Sequence, residues 1–139
     1  MQGFGFQKIY KGLLTIVNMY LLPQEIEVWY IIPAVRKELA RVLTRDFGMS
    51  YEKAGNALGV SKAAISQYLS NKRANKVKLN QEIKKEIKLA GGRINENPKI
   101  AMLEVQRILK VMREKKCSCD VCKKYNKEVL GYCNCDPKY

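Results

Sequence analysis

The chain contains no histidine. The side chain most often used as acid, base or metal ligand near neutral pH is therefore missing. No glycine-rich phosphate loop and no serine or carboxylate constellation takes its place. Catalytic chemistry is reduced to one thiol pair, Cys119 and Cys122, and the expectation is that the protein is not an enzyme. No small-molecule substrate site is evident. Alternating apolar–polar runs are also lacking, which argues against strands and for an all-α fold. The apolar stretch at residues 13–22 falls short of the roughly 20 residues that cross a bilayer. Lys8 and Lys11 before it imitate a signal peptide, but Leu22-Pro23-Gln24-Glu25 offers no small-residue cleavage site. A cytoplasmic protein without membrane contact is expected.

Acidic residues are scarce as well. There are 13 Asp and Glu against 26 Lys and Arg, a net charge of +13. Such an excess suits a partner that carries phosphates. Charge alone would equally suit a ribosomal component or a binder of anionic membranes. The excess is concentrated between residues 33 and 80, where ten basic residues (Arg36, Lys37, Arg41, Arg45, Lys53, Lys62, Lys72, Arg73, Lys76, Lys78) face three acidic ones (Glu38, Asp46, Glu52). Apolar residues make up 47% of the 139, enough for one modest core plus an appendage.

Residues 49–70, MSYEKAGNALGVSKAAISQYLS, read as two short helices joined by a turn. Ser50 can cap a helix through Tyr51, Ala54 and Leu58, and Gly59 gives the turn its backbone freedom. Val60 fills the space between the helices, and Ser61 caps the second. Ile65, Tyr68 and Leu69 recur at helical spacing and can pack back on Ala54 and Leu58. Small residues at Ala54 and Gly55 allow a close approach. The second helix then leaves Lys62, Ala63, Ser66, Gln67 and Ser70 pointing outward. That is the plan of a helix-turn-helix, which places its second helix in the DNA major groove. Lys62, Ser66 and Gln67 are the candidates for base edges: Gln pairs bidentately with adenine, Lys reaches guanine, and Ala63 can meet a thymine methyl. Asn71, Lys72 and Arg73, with Lys76 and Lys78 beyond, suit phosphate contacts that fix register.

The pattern Ala54–Leu58-Gly59-Val60-Ser61–Ile65-Ser66 resembles the Cro/repressor-type (XRE) helix-turn-helix. With the upstream stretch LPQEIEVWYIIPAVRKELARVL, residues 22–73 resemble small archaeal transcriptional regulators that set a proline-containing helix before this motif. The resemblance implies double-stranded DNA as partner, with Ser61, Lys62, Ala63, Ser66, Gln67, Ser70, Asn71, Lys72 and Arg73 at the interface. It leaves the regulated genes open. Gly55 departs from the pattern, which usually has alanine there, at a helix-propensity cost of about 1 kcal/mol. The region of resemblance begins just after Met19, so residues 1–18 are a candidate upstream extension. The mass of the natural protein tests that.

Around the motif, Phe6, Ile9, Tyr10, Leu13, Ile16, Val17 and Tyr20 follow helical spacing. Pro23 suits a first helical turn, and Pro33 is expected to break or kink the helix it opens. Val35, Leu39, Val42 and Leu43 form a further stripe that ends near Gly48. Downstream, Asn80 caps a short helix through Ile83, Ile87 and Ala90, expected to close at a Gly91-Gly92 hinge. Pro98 then opens a longer amphipathic helix to about Arg113. The domain reading is an N-terminal helical extension at 1–22, a DNA-binding domain at 23–79, a helical connector or dimerisation region at 80–114, and a cysteine-rich tail at 115–139. A homodimer is expected, because such proteins commonly bind paired half-sites.

All five cysteines lie in that tail: Cys117, Cys119, Cys122, Cys133 and Cys135. A soft-metal site in this chain must therefore be built of thiolates. Cys119-x-x-Cys122 and Cys133-x-Cys135 can close a tetrahedral zinc site at about 2.3 Å per ligand. An iron–sulfur cluster is also held by four cysteine thiolates, and Cys117 would then be a spare or exchangeable ligand. Two disulfides would need an oxidising compartment and would leave one thiol over. The metal site is read as structural or as a redox or iron sensor. The alternative to a DNA-binding regulator is a metal-stabilised adaptor that binds RNA or protein.

Overall fold

A computed structural model describes residues 22–115 together with Cys117 and Val121, and every regular element among them is helical. The first helix, α1, runs without a break over residues 23–46. It comprises the α-turn Pro23–Ile26, a wide π-turn Glu27–Ile31, the α-helix Ile32–Arg41 and a second π-turn Val42–Asp46. Pro23 occupies the first position, where a missing N–H costs nothing. The Leu22 N–H donates to the Glu25 carboxylate at 3.0 Å. Of the break or kink expected at Pro33, the break does not occur. The Ile32 N–H donates to the Glu27 carbonyl, one residue further back than in an α-helix. This wider turn moves aside the carbonyl that the proline ring would otherwise strike. The helix stops where Gly48 takes a positive φ of 66° and the Met49 N–H turns back to the Leu43 carbonyl at 2.9 Å.

Four further helices follow: α2 Tyr51–Leu58, α3 Lys62–Leu69, α4 Gln81–Glu96 and α5 Ala101–Glu114, the last entered through the 3-10 turn Pro98–Ile100. Side-chain caps set several starts. Ser50 accepts from the Lys53 N–H at 3.2 Å, Ser61 from Ala64 at 3.0 Å and Asn80 from Ile83 at 2.9 Å. Each satisfies a donor that the helix itself cannot. α1 is the central member and packs on α2, α3, α4 and α5, while α4 also pairs with α5. The core is built of Ile26, Ile31, Val35, Leu39 and Leu43 from α1, Ile65 from α3, Ile83, Ile87 and Ile94 from α4, and Ile108 and Met112 from α5, all fully buried.

Ion pairs tie α4 to α5 and α5 to α1. Glu104, the buried charged residue among those described, accepts from Arg107 Nε at 3.0 Å and Arg93 Nη1 at 3.4 Å. Arg107 also reaches Glu86 at 2.6 Å, and this hydrogen bond holds the Glu86 carboxyl below its usual range. Arg113 pairs with Glu27 at 2.7 Å and joins the end of α5 to the start of α1.

Gly91 and Gly92 lie inside α4, which continues four residues past them, so they are not the expected terminator and hinge. Packing accounts for Gly91 and not for Gly92. A Cβ on Gly91 would collide with Cγ1 of Val42, on the second π-turn of α1. Val42 is β-branched and cannot swing away freely. A Cβ on Gly92 would meet only the tip of Phe47, at an ordinary 3.6 Å. The two neighbours should therefore respond with opposite signs. Gly91→Ala is expected to destabilise by about 1–3 kcal/mol through overpacking. Gly92→Ala is expected to stabilise by about 1 kcal/mol through helix propensity. Thermal unfolding of the two variants checks the pair, and shifts of the same sign would refute the packing argument.

Candidate nucleic-acid interface

The α2–α3 pair is assembled as its residues dictate. Gly59 takes a left-handed conformation, φ 72° and ψ 30°, which closes α2 and lets the chain reverse. The Val60 N–H then donates to the Gly55 carbonyl at 2.9 Å. Ala54, Leu58, Ala64, Ile65 and Tyr68 are buried between the two helices and α1. Gly55, marked as a weakness by helix propensity, is where the turn touches α2: a Cβ there would lie 2.6 Å from the Val60 carbonyl oxygen.

With that side of α3 locked into the core, its other side is free. Ser61, Lys62, Ala63, Ser66, Gln67 and Ser70 are all exposed. Residues 62, 63, 66, 67 and 70 follow the i, i+3, i+4 rule and form one continuous strip. Ser61 Oγ is occupied as a cap acceptor, and its hydroxyl hydrogen remains to donate outward. Ser70 Oγ donates to the Gln67 carbonyl at 3.3 Å.

Beyond Ser70 the chain closes α3 with a paired turn. Asn71 adopts φ 60°, its N–H donates to the Tyr68 carbonyl at 3.2 Å, and the Lys72 N–H donates to the Gln67 carbonyl at 2.9 Å. This is the Schellman arrangement. Asn71 thus has a backbone duty, which its tolerance of the left-handed region allows. Lys72, Lys76 and Lys78 are exposed, and Arg73 is half-buried. Two residues missed by the sequence reading act here. Lys37 Nζ of α1 donates to Asn75 Oδ1 at 2.9 Å, and Asn75 Nδ2 donates to the Asn71 carbonyl. Lys37 and Asn75 are 38 residues apart, and no local pattern announces their meeting.

Of the five cysteines only Cys117 is described. It carries a free thiol, half-buried, accepting from Asn80 Nδ2 at 3.5 Å and packed with Val121 against the core. Cys119, Cys122, Cys133 and Cys135 lie outside the described residues, as does the expected helix at residues 6–20. Among the described residues no group of three or more acidic or cysteine side chains is placed to hold a metal, and no helix is long and apolar enough to cross a membrane. An open groove of about 380 Å³ lies between the end of α1, the start of α2 and the end of α4, lined by Phe47, Met49, Lys53 and Pro98 among others. No protein-family model, no curated protein and no solved structure matches the chain.

Proposed function

We propose that α2 and α3 form a DNA-reading helix-turn-helix and that the protein is a sequence-specific transcriptional regulator. One observation carries this reading. The face of α3 opposite its buried residues is a continuous strip of a cation, small hydroxyls, a methyl and an amide, at Lys62, Ala63, Ser66, Gln67 and Ser70. Those groups match the donors, acceptors and methyl groups of the major groove. Lys72, Lys76 and Lys78 follow it at once and supply charge for the phosphates on either side. The resemblance of residues 22–73 to Cro/repressor-type regulators points the same way.

Fluorescence anisotropy with fragments of the host genome and with random duplex tests the reading. The expected result is a small set of fragments bound at least 10³-fold more tightly than random DNA at physiological salt. Equal binding to all duplexes, or preference for RNA, would instead support the adaptor. Paired half-sites would call for a homodimer, and Leu89, Met102 and Leu103 are exposed apolar side chains on α4 and α5 available to it. Sedimentation with and without DNA checks that.

The tail is proposed to be a thiolate metal site. The spacing groups Cys119, Cys122, Cys133 and Cys135 as a set of four, with Cys117 as a spare or exchangeable ligand. Four thiolates suit zinc or an iron–sulfur cluster alike. Either would supply folding energy to a short segment. Metal content and the visible spectrum of protein purified without oxygen are the test. One zinc per chain without colour makes the site structural. Iron with sulfide makes it a redox or iron sensor. Absence of both metals refutes the site.

A further inference from the structure

The loop after α3 is held at several points, and one of them reaches it from α1. No regular element occurs between Leu69 and Gln81, and both Asn71 and Ala74 have positive φ, 60° and 62°. Non-glycine residues persist in that region only where their surroundings over-determine them. The bonds from Asn71 to Tyr68 and from Lys72 to Gln67 fix the first turn of the loop. Further along, Ala74 and Val77 pack against the core and Leu79 is buried in it. A polar constraint comes from α1. Lys37 Nζ, rising from the central helix α1, donates to Asn75 Oδ1, and Asn75 Nδ2 donates to the carbonyl of Asn71. A relay therefore runs from the core helix to the residue that closes α3. Lys72 and Arg73 sit between its two ends. Lys37 is half-buried, and one N–H of its ammonium donates to an amide oxygen. Burial, and then the neighbouring Arg41, lower its pKa against a partial opposing effect of Glu38.

We propose that Lys37 and Asn75 form a latch that positions Lys72 and Arg73 against the DNA backbone, so that Lys37 governs DNA affinity without touching DNA. The proposal rests on the DNA-binding reading above. Lys37 and Asn75 are positioning residues, and the groups that meet phosphate are those of the loop.

The test compares Lys37→Met, Asn75→Ala, the double variant and Lys37→Arg in the full chain, with DNA affinity measured across a salt series at a temperature where all remain folded. Each of the first two is expected to bind roughly tenfold more weakly, and the double variant no more weakly than either. The slope of log K against log salt should fall by about one in Asn75→Ala, although that substitution removes no charge. Lys37→Arg, which keeps the donor, should bind like the parent protein. A merely structural role would lower the melting temperature while leaving the slope unchanged, and would overturn the proposal. So would a silent Asn75→Ala beside a damaged Lys37→Met, because Lys37 would then be touching phosphate itself. Amide hydrogen exchange of Asn71 and Lys72, without DNA, should accelerate equally in both single variants; unchanged exchange also overturns the latch. Failure of the parent protein to bind any duplex would sink the functional reading and the proposal with it. Normal parent binding with unaffected variants sinks the latch alone.

Discussion

Gly55→Ala is expected to destabilise the protein by about 2 kcal/mol, although the same exchange in an isolated helix would gain about 1 kcal/mol. The obstacle is backbone. A Cβ at this position lies 2.6 Å from the Val60 carbonyl oxygen, 3.4 Å from the Ser61 carbonyl carbon and 3.5 Å from the Lys62 nitrogen. No rotamer change can relieve such contacts, because none of the atoms belongs to a side chain. The turn cannot easily retreat either. It is held by the left-handed Gly59 and by the hydrogen bond from the Val60 N–H to Gly55 itself. Relief requires α3 to move off α2, and strain of this kind costs about 1–3 kcal/mol. That displacement also tilts the outward strip of α3, so affinity for a specific duplex should fall further than stability alone explains. Urea unfolding gives the first quantity and a titration of the folded variant the second. A higher unfolding midpoint for Gly55→Ala would show that propensity outweighs the contact.

Local chemistry carried most of the fold into the sequence. Ser50, Ser61 and Asn80 can be read as caps because a short polar side chain before an apolar period has one good use there. Gly59 and Gly48 can be read as stops because their left-handed backbone is a local need, met by local residues. Ile65 and Tyr68 against Gln67 and Ser66 follow from period alone. What stayed hidden depends on neighbours remote in sequence. Pro33 reads as a break or a kink, and the π-turn that carries the helix past it has no signature in Glu27–Ile31. Gly91 and Gly92 read as a hinge because a glycine pair usually punctuates a helix. Only the approach of Val42, 49 positions earlier, shows that Gly91 serves close packing. The position of Asn71 after α3 suggests a surface residue, and its left-handed closure of the helix shows only in the backbone. The Lys37–Asn75 bond was not legible at all, since each residue alone is an ordinary polar side chain.

Gln67→Ala and Lys72→Ala are expected to damage DNA binding in different ways, and both are clean substitutions. The Gln67 backbone carbonyl closes α3 by accepting from the Lys72 N–H and Ser70 Oγ, so shortening either side chain to alanine leaves the closure in place. Neither side chain is buried. Loss of fold is thereby removed as an explanation. Gln67 faces out from the middle of the α3 strip, where an amide can make two hydrogen bonds to one base. Its loss should cost about 1–3 kcal/mol on the preferred sequence and almost nothing on random duplex, so discrimination falls. Lys72 lies past the end of α3, among the loop cations proposed to meet phosphate. Its loss should weaken all duplexes alike and lower the salt slope by about 0.9, the signature of one contact fewer. The measurement is a matrix of two variants, two duplexes and several salt concentrations. Equal losses on both duplexes for both variants would mean that α3 does not read bases. A Lys72→Ala variant that changes sequence preference would mean that the loop after α3 does.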